Sequence, residues 1–303
     1  MGSKKAVALL GLMLCAAGIV AYVSYSSVST LQLWSTADED CARHAFIRFK
    51  RDHNKLYSTA EEDLYRFRVF KQAIIKIEAM NEASTHNNGI GASFAVNKFA
   101  DLTEAEFKSM YLGYLGKPVA VTDGEEPLPV STGDHDVIDW VFENKVSAVK
   151  DQGACGSCWA FSATGSLESA YAIKNGNVVT FSEQQLVDCS AKEGNHGCNG
   201  GLMDNAFTYF ESNSAESESS YPYTAQDGQC SADSSQGIVK VSSYTDVTYN
   251  DEEALYTALK QQPISVAIDA TQIMYYHDGV ITPDFCNFQK LDHGVLLVGY
   301  HVD

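Results

Sequence analysis

Residues 134–303 contain no arginine and only seven lysines, set against 24 acidic side chains. A segment with a net charge of −17 has no surface for neutralising phosphates, which excludes a general nucleic-acid binder. Proline is scarce, at six in 303 residues, and glycine numbers 22, which excludes a collagen-like repeat. Long apolar runs are missing beyond residue 23, so the chain is not a polytopic membrane protein. No Asn-x-Ser/Thr triplet occurs, so sorting that depends on N-glycans is excluded. What is present is 45% hydrophobic and 20% charged, enough apolar side chain for a sizeable core and incompatible with wholesale disorder. The length allows two or three domains.

The charge is divided unevenly. Residues 1–133 hold 14 basic and 15 acidic side chains, so nearly all of the formal −18 belongs to the second part. The division predicts two parts with different tasks. The acidic excess has two readings: solubility, or service at acid pH, where carboxylate repulsion is partly titrated away. At the start, Lys4 and Lys5 precede an uncharged run from Ala6 to Val23. A basic segment followed by an apolar one is a secretory signal, over about residues 1–26, either cleaved or kept as an anchor. Both outcomes place the remainder in an oxidising lumen where disulfides persist.

The front part reads as helical. Ser58-Thr59-Ala60-Glu61 has the form of a capping box, with Ser58 as the cap and Glu61 reaching back. Leu64, Phe67, Phe70, Ile74, Ile77 and then Met80 or Asn81 recur at helical spacing and predict one amphipathic helix of about six turns. A shorter helix is expected over 41–55, a short strand over 93–99, and a linker over 113–129. Periodicity alone therefore predicts a small helical domain with an interaction face.

Two motifs add to that reading. Glu62, Arg66, Phe70, Ala73, Ile77 and Asn81 resemble the ERFNIN signature of papain-family propeptides, with Ala73 where the family has Asn. Ala95, Asn97, Phe99 and Asp101 resemble the GNFD motif of the same propeptides, with Ala95 in place of Gly.

The back part holds six of the eight cysteines: 155, 158, 189, 198, 230 and 286. An amphipathic run starts at Cys158 and stops at Asn175-Gly176-Asn177, which predicts a helix with Cys158 in its first turn. There the macrodipole and unpaired amides favour thiolate, so the thiol pKa is expected to fall, as a nucleophile requires. A redox C-x-x-C pair is the first rival, but no βαβ pattern surrounds it. A zinc site is the second, but no second C-x-x-C or H-x3-H follows. A structural disulfide is the third, and without the flanking residues it stands first.

The flanks change that order. Gln152-Gly-Ala-Cys155-Gly-Ser-Cys158-Trp-Ala-Phe resembles the active-site segment of papain-like cysteine peptidases, nearest the cathepsin L branch. Gly197–Asp204, Pro263–Asp269 and Leu291–Val295 resemble three further segments of that family, in order.

The resemblance implies an α+β, papain-like two-lobed fold, with a helical left lobe and a β-barrel-like right lobe. A helical inhibitory propeptide precedes it, over 27–133, and the peptidase domain occupies 134–303. The implied function is a cysteine endopeptidase made as a zymogen. Cys158 is the implied nucleophile and His293 the base and later acid. The Gln152 side-chain amide and the Cys158 N–H would form the oxyanion hole. Gly200 and Gly201 would pair with an extended peptide, and Leu202, Met203, Ala267 and Leu291 would line the main apolar specificity pocket. Asp292 reads as a local cap or surface charge. The family pairing joins Cys155 to Cys198 and Cys189 to Cys230.

The family's orienting Asn, its shielding Trp, the partner of Cys286 and the closing strands have no counterpart up to Asp303. The domain is accordingly expected to be incomplete, as a fragment or a degenerate relative. Without an orienting partner the tautomer and rotamer of His293 are left unset. The rival reading from another class is an inactive homologue acting as a propeptide-type inhibitor.

The implied partners are peptide and protein substrates and the chain's own propeptide. No nucleic acid is expected, a membrane only if the signal is uncleaved, and the chain is expected to be a monomer. No cofactor or metal is implied. The expected location is the secretory pathway, either a lysosome-like compartment or the exterior. Acid is expected to protonate propeptide carboxylates, Asp101 among them, and permit self-cleavage near 133–137.

Overall fold

The computed structural model describes residues 36–84, 91–116, 136–282, 285 and 290–301. The expected signal, both sides of the 133/134 boundary and Cys286 lie outside these residues. The chain divides into two compact units, one of residues 1–103 with 275–280, the other of 104–274 with 281–303.

The first unit is built on helices α1 (Thr36–Asp52) and α2 (Ala60–Ser84). Phe67, Phe70, Ala73, Ile77 and Met80 of α2 are buried, and the rings of Phe46 and Phe49 of α1 pack at a tilt against Phe67 and Phe70. Leu64, expected on the buried stripe, is exposed. The cap is shifted by one residue from the sequence expectation. Thr59 Oγ1 accepts from the Glu62 N–H (3.1 Å), and the Glu62 carboxylate accepts from the Ser58 N–H (3.0 Å). Thr59 therefore caps the helix, satisfying one of its orphan amides.

The motif residues act as struts. The Asn81 side chain bonds both the N–H and the C=O of Phe94, at 2.8 Å each, fixing strand β1 (Ala92–Phe94) to α2. Arg66 donates to the Asp101 carbonyl (3.1 Å). The buried Asp101 carboxylate accepts from Lys55 Nζ and Tyr57 OH, both at 2.8 Å. Ala73 packs in the core, where the family's Asn would put an amide. The expected strand over 93–99 stops at Phe94.

The second unit opens with α3 (Glu104–Tyr111) and β2 (Ile138–Asp139). Next come α4 (Cys158–Asn175), α5 (Glu183–Cys189), α6 (Met203–Ser212) and α7 (Glu252–Leu259). Strand β3 (Ile264–Ile268) follows. Strand β4 (Tyr276–Gly279) belongs to the first unit, where it pairs antiparallel with β1. Strands β5 (His293–Leu297) and β6 (Gly299–Tyr300) close the order. Helix α4 ends as expected at Gly176, whose φ of +86° is a left-handed cap that suits glycine. Trp159, Ala160, Ala163, Phe181, Leu186 and Phe210 form a fully buried core around α4.

The sheets are two-stranded among the described residues: β3 with β5, and β2 with β6, both antiparallel. Disulfides join Cys155 to Cys198 and Cys189 to Cys230. They close loops of 43 and 41 residues. Each such loop is worth about 4 kcal/mol by chain entropy. The linker expected from Gly113 is not one at its start, since Gly113–Gly116 runs as an ordered segment that bridges to Gly201.

Candidate active site

The site forms where α4 begins and β5 begins. Strand β5 lies along α4 because the facing side chains are small and hydroxylated. Ser162 Oγ donates to Val295 O (2.7 Å), Ser265 Oγ to Ser162 O (2.9 Å) and Ser166 Oγ to Pro263 O (3.1 Å). A Cβ on Gly165 would lie 3.1 Å from the Leu296 side chain, so glycine permits the close approach. Gly294 is held as tightly, with Trp159 backbone 3.4 Å and Met203 sulfur 3.1 Å from where its Cβ would stand.

These contacts bring the ends together. The Gly294 N–H donates to Cys158 Sγ at 3.4 Å, and His293 is the preceding residue, paired with Ile268 across β3. Cys158 is buried and is the free cysteine among the described residues. Burial pushes its thiol above the usual range, against the opposing N–H groups of Gly294, Gly113 and Trp159. The helix-end argument therefore holds in direction but is outweighed: the amides pull the pKa down, and burial pulls it up further. Burial also holds the His293 imidazole down to about 4. Its Nδ1 is buried with no hydrogen-bond partner among the described residues. Burial thus disfavours the charged form of each group.

The cover is the chain's own segment 111–115. Gly201 donates to Gly113 O (2.8 Å) and accepts from Leu115 N (3.1 Å), a parallel bridge. Tyr114 N–H donates to Asp292 O (3.1 Å). Gln152 Nε2 donates to Tyr111 O and to Cys155 O, both at 2.8 Å. The side-chain amide expected to hold an oxyanion thus already holds a carbonyl oxygen of this segment.

The remaining expected residues surround it. Gly200, at φ +112°, leaves room for Gly113 O and the Leu115 side chain, which a Cβ would meet at 2.8 Å. Met203 and half-buried Tyr114 pack into the same core cluster. Ala267 faces Gly294 across the β3–β5 pair, and Leu291 precedes the Asp292 carbonyl that takes Tyr114. Leu202 is half-buried, its N–H held by Asn195 Oδ1 at 2.9 Å. Asp292 is neither a local cap nor a bare surface charge: its carboxylate ties to a distant segment, accepting from Ala270 N (2.8 Å) and Thr271 Oγ1 (2.5 Å).

Sequence reasoning missed several supporting groups. Buried Asn195 bonds Ser190 and Leu202 and so shapes the Gly200–Gly201 turn. Lys150 pairs with two buried carboxylates, Glu168 (2.5 Å) and Glu183 (2.6 Å). Burial pushes Glu183 up to about 7 despite Lys150 and a hydrogen bond from Thr164. The available signal was a Glu on an otherwise small and apolar face of α4.

The comparisons with known proteins bear on the family. Residues 135–303 match the model of the papain family cysteine protease, and residues 46–107 match the cathepsin propeptide inhibitor domain (I29). Cysteine proteinase 15A of Pisum sativum is 42% identical over 270 residues, covering 86% of this chain and 72% of that protein. Cathepsin L1 of Drosophila melanogaster is 39% identical, covering 87% and 74%. The solved structure of digestive procathepsin L 3 from Tenebrio molitor larval midgut superposes with a TM-score of 0.74 at 39% identity, covering 86% of this chain and 85% of that one. The chain therefore belongs to the papain family of cysteine proteases, as a cathepsin L-like zymogen with its propeptide domain.

Proposed function

We propose that this cysteine protease cleaves peptide bonds through Cys158 and His293, with Gln152 and the Cys158 N–H stabilising the oxyanion. The observation that carries the reading is Gly294 N–H on Cys158 Sγ, which sets the head of β5 against the first turn of α4. A neutral pair becomes reactive when His293 takes the thiol proton. The thiolate then attacks the carbonyl carbon, and the imidazolium returns the proton to the leaving amine. An extended substrate pairs with Gly201, while Leu202, Met203, Ala267 and Leu291 receive a bulky apolar side chain before the scissile residue.

The propeptide inhibits in cis by laying residues 111–115 over the thiol. Its parallel pairing with Gly201 supports a chain direction opposite to that of substrate. The propeptide ends near residue 133, and maturation at acid pH cuts near 133–137. The chain works as a monomer in the secretory pathway, in a lysosome-like compartment or outside the cell. The test is Cys158→Ser in the full chain: peptide hydrolysis after acid treatment is expected to vanish while the fold is retained. Hydrolysis at the wild-type rate would sink the assignment.

A further inference from the structure

We propose that Tyr223 is a positioning residue for the oxyanion hole, tying the Gln152 loop to the first turn of α4 so that the Gln152 side-chain amide and the Cys158 N–H converge. The inference rests on the assignment of Cys158 above and goes beyond it. The Tyr223 hydroxyl donates to the Gln152 main-chain carbonyl at 2.7 Å. It also lies 2.6 Å from Ser157 Oγ. A phenol has one proton, and the Gln152 carbonyl can only accept it, so the shorter contact of Ser157 Oγ is assigned as donation to Tyr223 in preference to Cys155 O at 3.5 Å. The result is a relay from Ser157 O–H to Tyr223 O–H to Gln152 C=O, in which each bond polarises the next.

Ser157 stands at the N-cap of α4 and is fully buried, yet its side chain makes no cap hydrogen bond. An N-cap serine normally accepts from the second or third amide of its helix, for about 1 kcal/mol. Here the hydroxyl is turned to Tyr223 instead. The tyrosine is itself fixed. Its ring meets Phe161 edge-on at 4.9 Å, and its N–H donates to Glu218 (2.8 Å). Burial pushes its hydroxyl up to about 12, so it stays a donor throughout the physiological range.

The loop needs such a tie. Gln152 lies outside helix and strand, beside Gly153 at φ +60°. The disulfide from Cys155 to Cys198 pins the middle of the loop, and Tyr223 pins both ends. Loss of the hydroxyl frees the Gln152 backbone to rotate and moves its amide off the oxyanion position. The oxyanion exists only in the transition state, so kcat falls and KM does not.

The experiment is Tyr223→Phe in the full chain after acid maturation. The expected result is a kcat about 10-fold lower with KM within about twofold, a smaller loss than the ~10²–10³ for removing an oxyanion donor outright. Affinity for a peptidyl aldehyde, whose hemithioacetal oxygen enters the hole, should weaken by the same factor. Reaction of Cys158 with a dipyridyl disulfide forms no oxyanion and should be unchanged. Unchanged kcat, or an equal fall in the disulfide rate, overturns the inference. If Tyr223→Phe does not mature, Ser157→Ala makes the same comparison: a kcat loss at constant disulfide rate supports the proposal, and no loss overturns it. A wild-type Cys158 that is inert to the disulfide, with turnover intact, would instead refute the assignment of the nucleophile.

Discussion

Replacing Gly113 with alanine would put a methyl carbon 1.8 Å from the Gly156 carbonyl oxygen, 2.5 Å from its carbon and 2.9 Å from its Cα. All three are backbone atoms, and the loop that bears them cannot retreat. Cys155 is disulfide-bonded to Cys198, and Gly156 N–H donates to Cys198 O at 2.9 Å. The covering segment must therefore lift. Lifting breaks Gly201 N to Gly113 O, Tyr114 N to Asp292 O and Leu115 N to Gly201 O. At about 1 kcal/mol net for each bond, losing two or three costs about 2–3 kcal/mol. That raises the uncovered population about 30- to 150-fold, at ~1.4 kcal/mol per factor of ten. The assay is the initial rate at which a peptidyl epoxide labels Cys158 at neutral pH, with intact mass confirming that the labelled chain is unprocessed. Ser109→Ala, on the exposed side of α3, is the control and should leave the rate unchanged. A Gly113→Ala rate within about threefold of wild type would show that 111–115 does not close the thiol, and the estimate from hydrogen bonds would be wrong.

Two further outcomes follow from buried carboxylates. Asp101→Asn removes the charge that Lys55 and Tyr57 share, and is expected to cost the first unit about 1–3 kcal/mol, since Lys55 keeps some water; native-state hydrogen exchange in α1 and α2 reads this, and unchanged protection would refute it. Glu183 is pushed up to about 7, above its unfolded value of 4.5, so the folded state keeps a proton that the unfolded chain has lost between those pH values. Stability from this group is therefore lost as pH rises through that window. Glu183→Gln is expected to abolish this loss, raising the melting temperature at pH 7.5 relative to pH 5; an identical difference in wild type and variant would refute it.

The first unit was legible because its motif residues sit on one helix at fixed spacing. Phe70 and Ile77 are core, while Arg66 and Asn81 are struts to Asp101 and Phe94. Local pattern could show that these positions matter, but not what they hold, because the partners lie 13 and 35 residues away. The cap was misread by one position because Ser58 and Thr59 are both able caps, and packing chose between them. The pairing of β1 with β4 joins residues 185 apart, beyond any local signal. Around the thiol, the helix and its Gly176 stop were legible. The covering segment was not, since three glycines and three prolines over 113–129 resemble a linker whether or not the first of them touches a cleft. The thiol pKa went the other way for the same reason: the macrodipole follows from sequence, whereas burial depends on what covers the helix end.

For the proposed acid maturation, His293 is a more direct sensor than Asp101, provided that leaving of 111–115 hydrates the ring. Asp101 bonds Lys55, Tyr57 and Arg66, all in its own unit, so its contacts bear on that unit's fold first. His293 is held down to about 4 by burial, against an ordinary value of 6.5. A state with the ring buried therefore binds fewer protons than one with it hydrated, and its advantage is present above about pH 6.5 and is lost as pH falls towards 4. Full hydration of the ring would be worth about 3 kcal/mol across that window, at ~1.36 kcal/mol per unit. The three backbone bonds that seat Gly113–Leu115 are worth about the same. Acid acting on the imidazole alone is thus of the right size and sign to offset what holds the segment down. The ring that acid would charge is the same one that must be neutral to take the Cys158 proton, so turnover needs His293 to give up that proton once the segment has left.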